Sequence, residues 1–317
     1  MKLSTIIIAL VLGCLGAQAA PPDPRLIGGS NVDQIADYPW VVSVIKMEGE
    51  NIAALCIGTI VDETHFIIPA HCKLVSDDNY STYRVRSNTL TYNGTQATTH
   101  EITNWVQHEG YDENTKWTND ISLVTVATEF AANVSAPLAA ANAVDPADKA
   151  TVTSVGWGAT CDGCEFNLEL QSAADLRIYS QTNCNAFLGE GLNANKVCAG
   201  NPSTQHGICK GDSGAPLIDT DGTVIGIASY LQYPCGPAPA VYTKISKFRD
   251  WIDTNIPDPP TDPPTDPPTD PPTDPPTDPP EPEPEPEPEP VPPAAAAAAK
   301  RSGAVLKWGF SIVNNHI

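Results

Sequence analysis

Short apolar runs rich in β-branched residues, each ended by Gly, Asn, Asp or Pro, recur from Tyr38 to about Ile256. Examples are Trp40 to Ile45, Ile57 to Val61, Ile121 to Val126, Ala150 to Val155 and Val224 to Ala228. Runs of this length and punctuation predict an antiparallel all-β domain, either a sandwich or a barrel. Helical spacing is confined to Lys244 to Ile252, where Ile245, Phe248, Trp251 and Ile252 share one side. A body of about 230 residues is long enough to bury a large core.

The two ends follow other patterns. Lys2, the apolar run Ile6 to Leu15 and the small residues Ala17-Gln18-Ala19 read as a secretory signal peptide over residues 1–19. The run is too short for a membrane span, so no transmembrane segment is expected. Residues 20–25, Ala-Pro-Pro-Asp-Pro-Arg, form an extended, exposed segment with Arg25 as a processing site. Cleavage there creates a new α-amino group at Leu26, with Gly28-Gly29 free to let that end swing. From Pro257 to Pro293 the chain is Thr-Asp-Pro-Pro repeats and then Glu-Pro pairs. Such a stretch has nothing to bury and reads as a disordered, extended linker or stalk. Residues 294–317 are a basic, partly apolar tail of the kind that can attach a chain to a surface.

Charge narrows the partners. Residues 26–256 hold 26 acidic against 12 basic side chains, and the whole chain carries −21. A body this acidic repels phosphate backbones, which argues against nucleic acid. Removing the leader with Cys14 leaves eight cysteines, an even number suited to four disulfides in an oxidising, extracellular setting. Asn79-Tyr80-Ser81, Asn93-Gly94-Thr95 and Asn133-Val134-Ser135 are N-glycosylation sequons, so the chain is expected to be a glycoprotein.

The chemistry is carried by three sites far apart in sequence. Gly211-Asp212-Ser213-Gly214 suits a tight turn that presents one hydroxyl and several backbone N–H groups. A serine hydroxyl needs a base before it becomes a nucleophile. His71 follows the strand-like Phe66-Ile67-Ile68 and precedes Cys72, which can fix it in place. Asp120 stands at the mouth of the run Ile121 to Val126. Each is weak evidence alone, but nucleophile, base and orienting carboxylate together are the set that acyl transfer needs.

At this point the chain resembles the trypsin/chymotrypsin family of serine proteases from Leu26 to Ile252. The residues that carry the resemblance are Leu26-Ile27-Gly28-Gly29, Ala70-His71-Cys72, Asn119-Asp120-Ile121, Gly156-Trp157-Gly158, Cys198-Ala199-Gly200, Gly211-Asp212-Ser213-Gly214, Ser229-Tyr230 and Val241-Tyr242-Thr243. The resemblance implies two six-stranded antiparallel β-barrels, a C-terminal helix, and a peptidase domain over residues 26–256. It implies a secreted endopeptidase made as a zymogen, with Ser213 as nucleophile, His71 as general base and acid, and Asp120 holding the imidazole. Backbone N–H groups of Gly211 and Ser213 are the implied oxyanion hole. Asp212 is implied to receive the Leu26 ammonium after cleavage at Arg25, a switch role rather than a catalytic one. No cofactor or metal is implied, and no calcium-ligand spacing follows Asp77-Asp78.

The same resemblance pairs Cys56 with Cys72, Cys184 with Cys198 and Cys209 with Cys235. That leaves Cys161 and Cys164; such a spacing can serve zinc or redox chemistry, but no second pair is free for a metal, so a local disulfide is expected. The implied substrate-binding residues are Gly207, Ile208, Lys210, Ser229, Tyr230, Leu231 and Ala240. Gly207, six residues before Ser213, is the implied pocket floor, and neither it nor Ile208 is charged. An arginine or lysine buried there would lack a partner, at a cost of several kcal/mol. Leu231 and Ala240 add bulk, which favours small or medium aliphatic side chains before the scissile bond, with an aromatic preference second. The chain should therefore not process its own Arg25, and a separate trypsin-like activator is implied. Ile68-Pro69, Ser122, Ala215 and Tyr230 depart from the family pattern without removing a reacting group. The rival reading is an inert relative serving as a binding or inhibitor module.

Overall fold

The computed structural model describes residues 27–74, 79–189 and 191–257. The stretches read as leader (1–19) and pro-segment (20–25), the following Leu26, the Asp77-Asp78 pair, the Pro-rich stretch and the tail lie outside these residues. Among the described residues no helix is long and apolar enough to cross a membrane.

The described residues form fourteen strands in two sheets. The N-terminal sheet contains β2 (Val41–Glu48), β3 (Asn51–Ile60), β4 (His65–Ile68), β5 (Tyr83–Ser87), β6 (Thr98–His100), β7 (Ile102–Gln107) and β8 (Ser122–Val126). Its order is β6-β5-β2-β3-β4-β8-β7, with every pairing antiparallel. Only Glu101 separates β6 from β7, so the two edge members are one bent run and the sheet closes as six strands. The C-terminal sheet contains β1 (Ser30–Asn31), β9 (Thr151–Gly156), β10 (Gln171–Tyr179), β11 (Lys196–Gly200), β12 (Pro216–Ile218), β13 (Val224–Tyr230) and β14 (Ala240–Lys244). Here β9 pairs with both β10 and β12, which closes a six-stranded ring. The two-residue β1 is an addition on β10. All-β architecture with two closed barrels is what the resemblance implies, and closure leaves few strand edges unpaired.

The apolar runs read from the sequence become β2, β3, β8, β9 and β13, and their side chains fill the core. Trp157, Phe66, Ile57, Ile60, Ile121 and Leu170 are among the largest fully buried side chains. The helical stretch near the end is shorter than expected. A 3-10 turn (Ile245–Lys247) leads into the second of two helices, α2 (Arg249–Asn255), because Lys244 belongs to β14 and Phe248 lies outside helical geometry. Ile245, Phe248 and Ile252 are buried as the spacing predicts.

The first helix, α1 (Gln181–Leu188), is not expected from apolar spacing. Its signals were local: the Ser180 side chain accepts from the Asn183 N–H, and Gly189 ends it at φ +68°. It buries only Cys184 and Leu188. Among the described residues four disulfides join Cys56 to Cys72, Cys161 to Cys164, Cys184 to Cys198 and Cys209 to Cys235. These are the pairings read from the sequence.

Candidate active site

His71 occupies a one-turn 3-10 segment (Ala70–Cys72) at the end of β4. Pro69 precedes it at φ −59°, so the proline fits the turn entry. The Cys56–Cys72 disulfide ties that turn to β3. Asp120 stands two residues before β8, after Asn119 at φ +52°, a conformation that asparagine tolerates. Both residues therefore come from the N-terminal barrel. Ser213 comes from the other barrel, in the loop before β12.

The structure brings the three together. The Asp120 carboxylate accepts from the His71 backbone N–H at 3.0 Å and meets the His71 Nδ1 at 2.8 Å. The other ring nitrogen, Nε2, lies 2.9 Å from the Ser213 Oγ. The Asp120 side chain is fully buried and the His71 side chain is 7% exposed. Burial pushes the Asp120 carboxyl up, but His71, Lys196 and the Ser229 hydroxyl outweigh it and hold the group below the usual carboxylate range. The ionised aspartate can hold a proton on Nδ1, leaving Nε2 to accept one from the serine.

Two glycines shape the serine loop. Gly211 has φ +95°, and a Cβ there would come within 2.7 Å of the Phe166 ring. Gly214 has φ +87°, and a Cβ there would strike the Ile57 carbonyl oxygen of the N-terminal barrel. The Ile57 N–H also donates to the Ser213 carbonyl at 2.7 Å, a backbone bond from one barrel to the other. Ala215 has an ordinary negative φ and is fully buried, so alanine is accommodated at that departure.

Asp212 points away from His71. It is fully buried, and its carboxylate accepts from the Gly158 N–H at 2.7 Å and the Cys209 N–H at 3.0 Å. Burial outweighs these two donors and pushes its carboxyl up to about 7. Among the described residues no cation lies against it. Ile27 packs on Ala159, Cys209 and Cys235, and its carbonyl accepts from the Gly207 N–H at 3.2 Å. The described chain therefore begins beside the Asp212 loop.

Gly207 and Ile208 are buried, and open space lies where a Gly207 side chain would project. Ser229 and Tyr230 close β13, Ala240 opens β14, and all three are buried. Leu231 is half-buried against Cys209 and Cys235. Lys210 is exposed, its ammonium 5.8 Å from the Phe166 ring centre. A separate open cleft of about 470 Å³ adjoins His71, lined by Lys73, Leu74, Gln107, Tyr111 and Trp117 but not by Gly207. The sequon residues Asn79, Asn93 and Asn133 are all exposed.

Cys56, Cys72 and His71 cluster closely enough to suggest a metal site, but both sulfurs are in one disulfide. One residue escaped the sequence reading. Lys196, the first residue of β11, is buried with its Nζ 2.8 Å from the Ser229 Oγ and 3.1 Å from the Thr243 Oγ1. A cation heading a strand whose every residue is buried was the available signal.

Comparison with known proteins agrees with this geometry. The family model described as Trypsin matches residues 26–252. A trypsin from Phaedon cochleariae is 32% identical over 256 residues, covering 77% of this chain and 95% of that one. Human (Homo sapiens) kallikrein-7 is 28% identical over 258 residues, covering 80% and 95%. Among solved structures, neuropsin, a serine protease expressed in the limbic system of mouse brain, superposes with a TM-score of 0.61 at 28% identity, covering 71% of this chain and 97% of that one.

Proposed function

The chain belongs to the trypsin family of serine proteases, and from that premise we propose that it is a secreted, catalytically competent endopeptidase made as a zymogen. The observation that carries this reading is the unbroken chain of contacts Asp120–His71–Ser213 across the two barrels. In the proposed reaction His71 Nε2 takes the Ser213 hydroxyl proton as Oγ attacks the substrate carbonyl carbon. The resulting oxyanion is met by the Gly211 and Ser213 N–H groups, each worth on the order of 10²–10³ in rate. Collapse expels the amine, which takes the proton from His71 and leaves an acyl-serine. Water activated by His71 then releases the acid. Asp120 holds the ring through both proton transfers.

Cleavage after Arg25 is the proposed activation step. The new Leu26 ammonium would meet Asp212, whose buried, otherwise cation-free carboxylate supplies a site for it. The inert alternative has no observation in its favour at these residues. A serine-directed phosphonate should label Ser213 after trypsin treatment, but not before it and not in an Arg25→Gln protein. Full labelling of unprocessed Arg25→Gln protein would overturn the zymogen reading.

The proposed preference before the scissile bond is for small or medium aliphatic residues. It is supported by the uncharged floor at Gly207 and Ile208 and by the bulk of Leu231 and Ala240. Matched peptides differing only at that residue test it. Fastest cleavage after arginine refutes the pocket argument, and fastest cleavage after phenylalanine replaces it with an aromatic preference. With such a pocket, Arg25 requires a separate trypsin-like activator. Glycans on Asn79, Asn93 and Asn133 and surface attachment through the tail complete the proposal.

A further inference from the structure

Lys196 lies beneath the reacting residues with no part in the reaction derived above. Its side chain reaches from β11 to hydroxyls on β13 and on the neighbouring β14, 33 and 47 residues away in sequence. Each of those partners also touches Asp120. The Ser229 hydroxyl donates to the Asp120 carboxylate at 2.5 Å, and the Thr243 hydroxyl donates to the Asp120 carbonyl at 2.9 Å. An ammonium has three donors and no acceptor. While Lys196 carries its proton, both hydroxyls must therefore take the lysine on their lone pairs and turn their own protons toward Asp120. The aspartate is gripped at its side chain and its backbone by two hydroxyls that one cation has aligned.

The surroundings support a positive charge on Lys196. Asp120 is the ionised group that acts on Lys196, and the Tyr230 ring lies 5.8 Å from its Nζ. The neighbouring cation on β14, Lys244, is engaged instead with Asp145 at 2.6 Å. Asp120 in turn is faced by His71 from the β4 turn, by Lys196 from β11 and by the Ser229 hydroxyl from β13. The half-buried Tyr111 phenol is kept protonated first by its partial burial and then by the Asp120 charge.

We propose that Lys196 is a positioning residue of the active centre, whose ammonium fixes Asp120 through Ser229 and Thr243 and opposes a second positive charge on His71. The second effect follows from sign. A positive charge behind Asp120 supports its carboxylate but opposes a second positive charge on the imidazole. Burial pushes the Lys196 ammonium down to about 8, with Asp120 pulling in the opposite direction. The charge is then present at neutral pH and fades above about 8, so the device biases the active centre most strongly on the acidic side.

This inference rests on Ser213, His71 and Asp120 acting together, so its test must not depend on turnover alone. In full-length Ser213→Ala protein the His71 ring is titrated by NMR, with and without Lys196→Met. Loss of the cation should raise the His71 midpoint by about 0.5–1 pH unit. In the trypsin-processed enzyme with Ser213 intact, the acidic limb of kcat/KM should move upward by the same amount. Should Lys196→Met fail to fold, Lys196→Gln serves, since it also removes the charge. An unmoved midpoint overturns the proposal, as does a loss of kcat/KM by one constant factor at every pH, the signature of a packing role. Wild-type protein that folds but hydrolyses no peptide after processing would instead overturn the protease reading, and the ring titration would still decide the role of Lys196.

Discussion

The two barrels bury charge differently. In the N-terminal barrel the fully buried ionised side chain is Asp120, and it reaches out to hydroxyls of the other barrel. Its other buried polar residues carry hydroxyls or imidazoles: Ser43, Thr59, His65, Ser87, His100 and Ser122. The C-terminal barrel encloses Asp212, Lys196 and Lys244; the last is paired with Asp145, and Asp212 pairs with neither lysine. One barrel is thus an apolar frame that presents a base already held in place. The other holds buried charges, Asp212 with no cation against it among the described residues and Lys196 bound to hydroxyls that reach Asp120 of the first barrel, and sensitivity to pH and processing should concentrate there.

The largest expected effect comes from cutting the contact between the barrels. Ser213→Ala and His71→Ala should each lower kcat/KM of the processed enzyme by about 10⁴–10⁶. The double variant should be no worse than either single one, because neither residue works without the other. Additive losses would mean that the barrels contribute separately.

Gly214→Ala tests the seam itself. The substitution imposes a left-handed backbone on alanine and drives a Cβ into the Ile57 carbonyl oxygen. A cost of about 3–5 kcal/mol is expected, read as a Tm drop of roughly 10 °C. Gly49, also at positive φ (+62°) but in open space between β2 and β3, is the control. Gly49→Ala should cost only about 1 kcal/mol. Equal losses would show that backbone strain, not contact between the barrels, sets the Gly214 effect.

Asp212 supplies the pH test. Its folded value of about 7 lies above the ordinary 3.8, so the folded chain holds a proton that the unfolded chain releases. Stability of the unprocessed protein should therefore fall as pH rises from about 4 to about 7, by about 2–4 kcal/mol in all, and stay low above that. Asp212→Asn should remove most of this slope. Cleavage after Arg25 should also flatten it, by giving the carboxylate an ammonium. Denaturant melts of both forms across pH 4–8 check this, and parallel curves would separate Asp212 from activation.

How much of this was legible follows from range and chemistry. Ser213, His71 and Asp120 could be read because each sits in a short local signature and the reaction needs all three. The disulfides could be paired because the resemblance assigns six of the eight cysteines that follow the leader, leaving Cys161 and Cys164, which lie three residues apart. The α1 helix escaped because it buries only two side chains, so its capping residues, not its apolar spacing, defined it. Lys196 escaped for a different reason. Its meaning depends on hydroxyls brought in from β13 and β14, and no local pattern announces a pairing that only barrel closure creates.

The smallest effect probes the apolar frame. Ser122, on β8 two residues after Asp120, is fully buried, and its hydroxyl has no partner. An unsatisfied buried hydroxyl costs about 1–3 kcal/mol. Ser122→Ala should therefore stabilise the protein by about 1 kcal/mol, a Tm rise of roughly 2–4 °C, since removing the oxygen also leaves a small void. Because the Ser122 side chain touches neither Asp120 nor His71 by hydrogen bond, kcat/KM should be unchanged. The gain should also be the same at pH 5 and pH 8, since no charge is involved. A gain that varied with pH would show that ionisation of Asp120 or His71 reaches Ser122, and would weaken the contrast between the two halves.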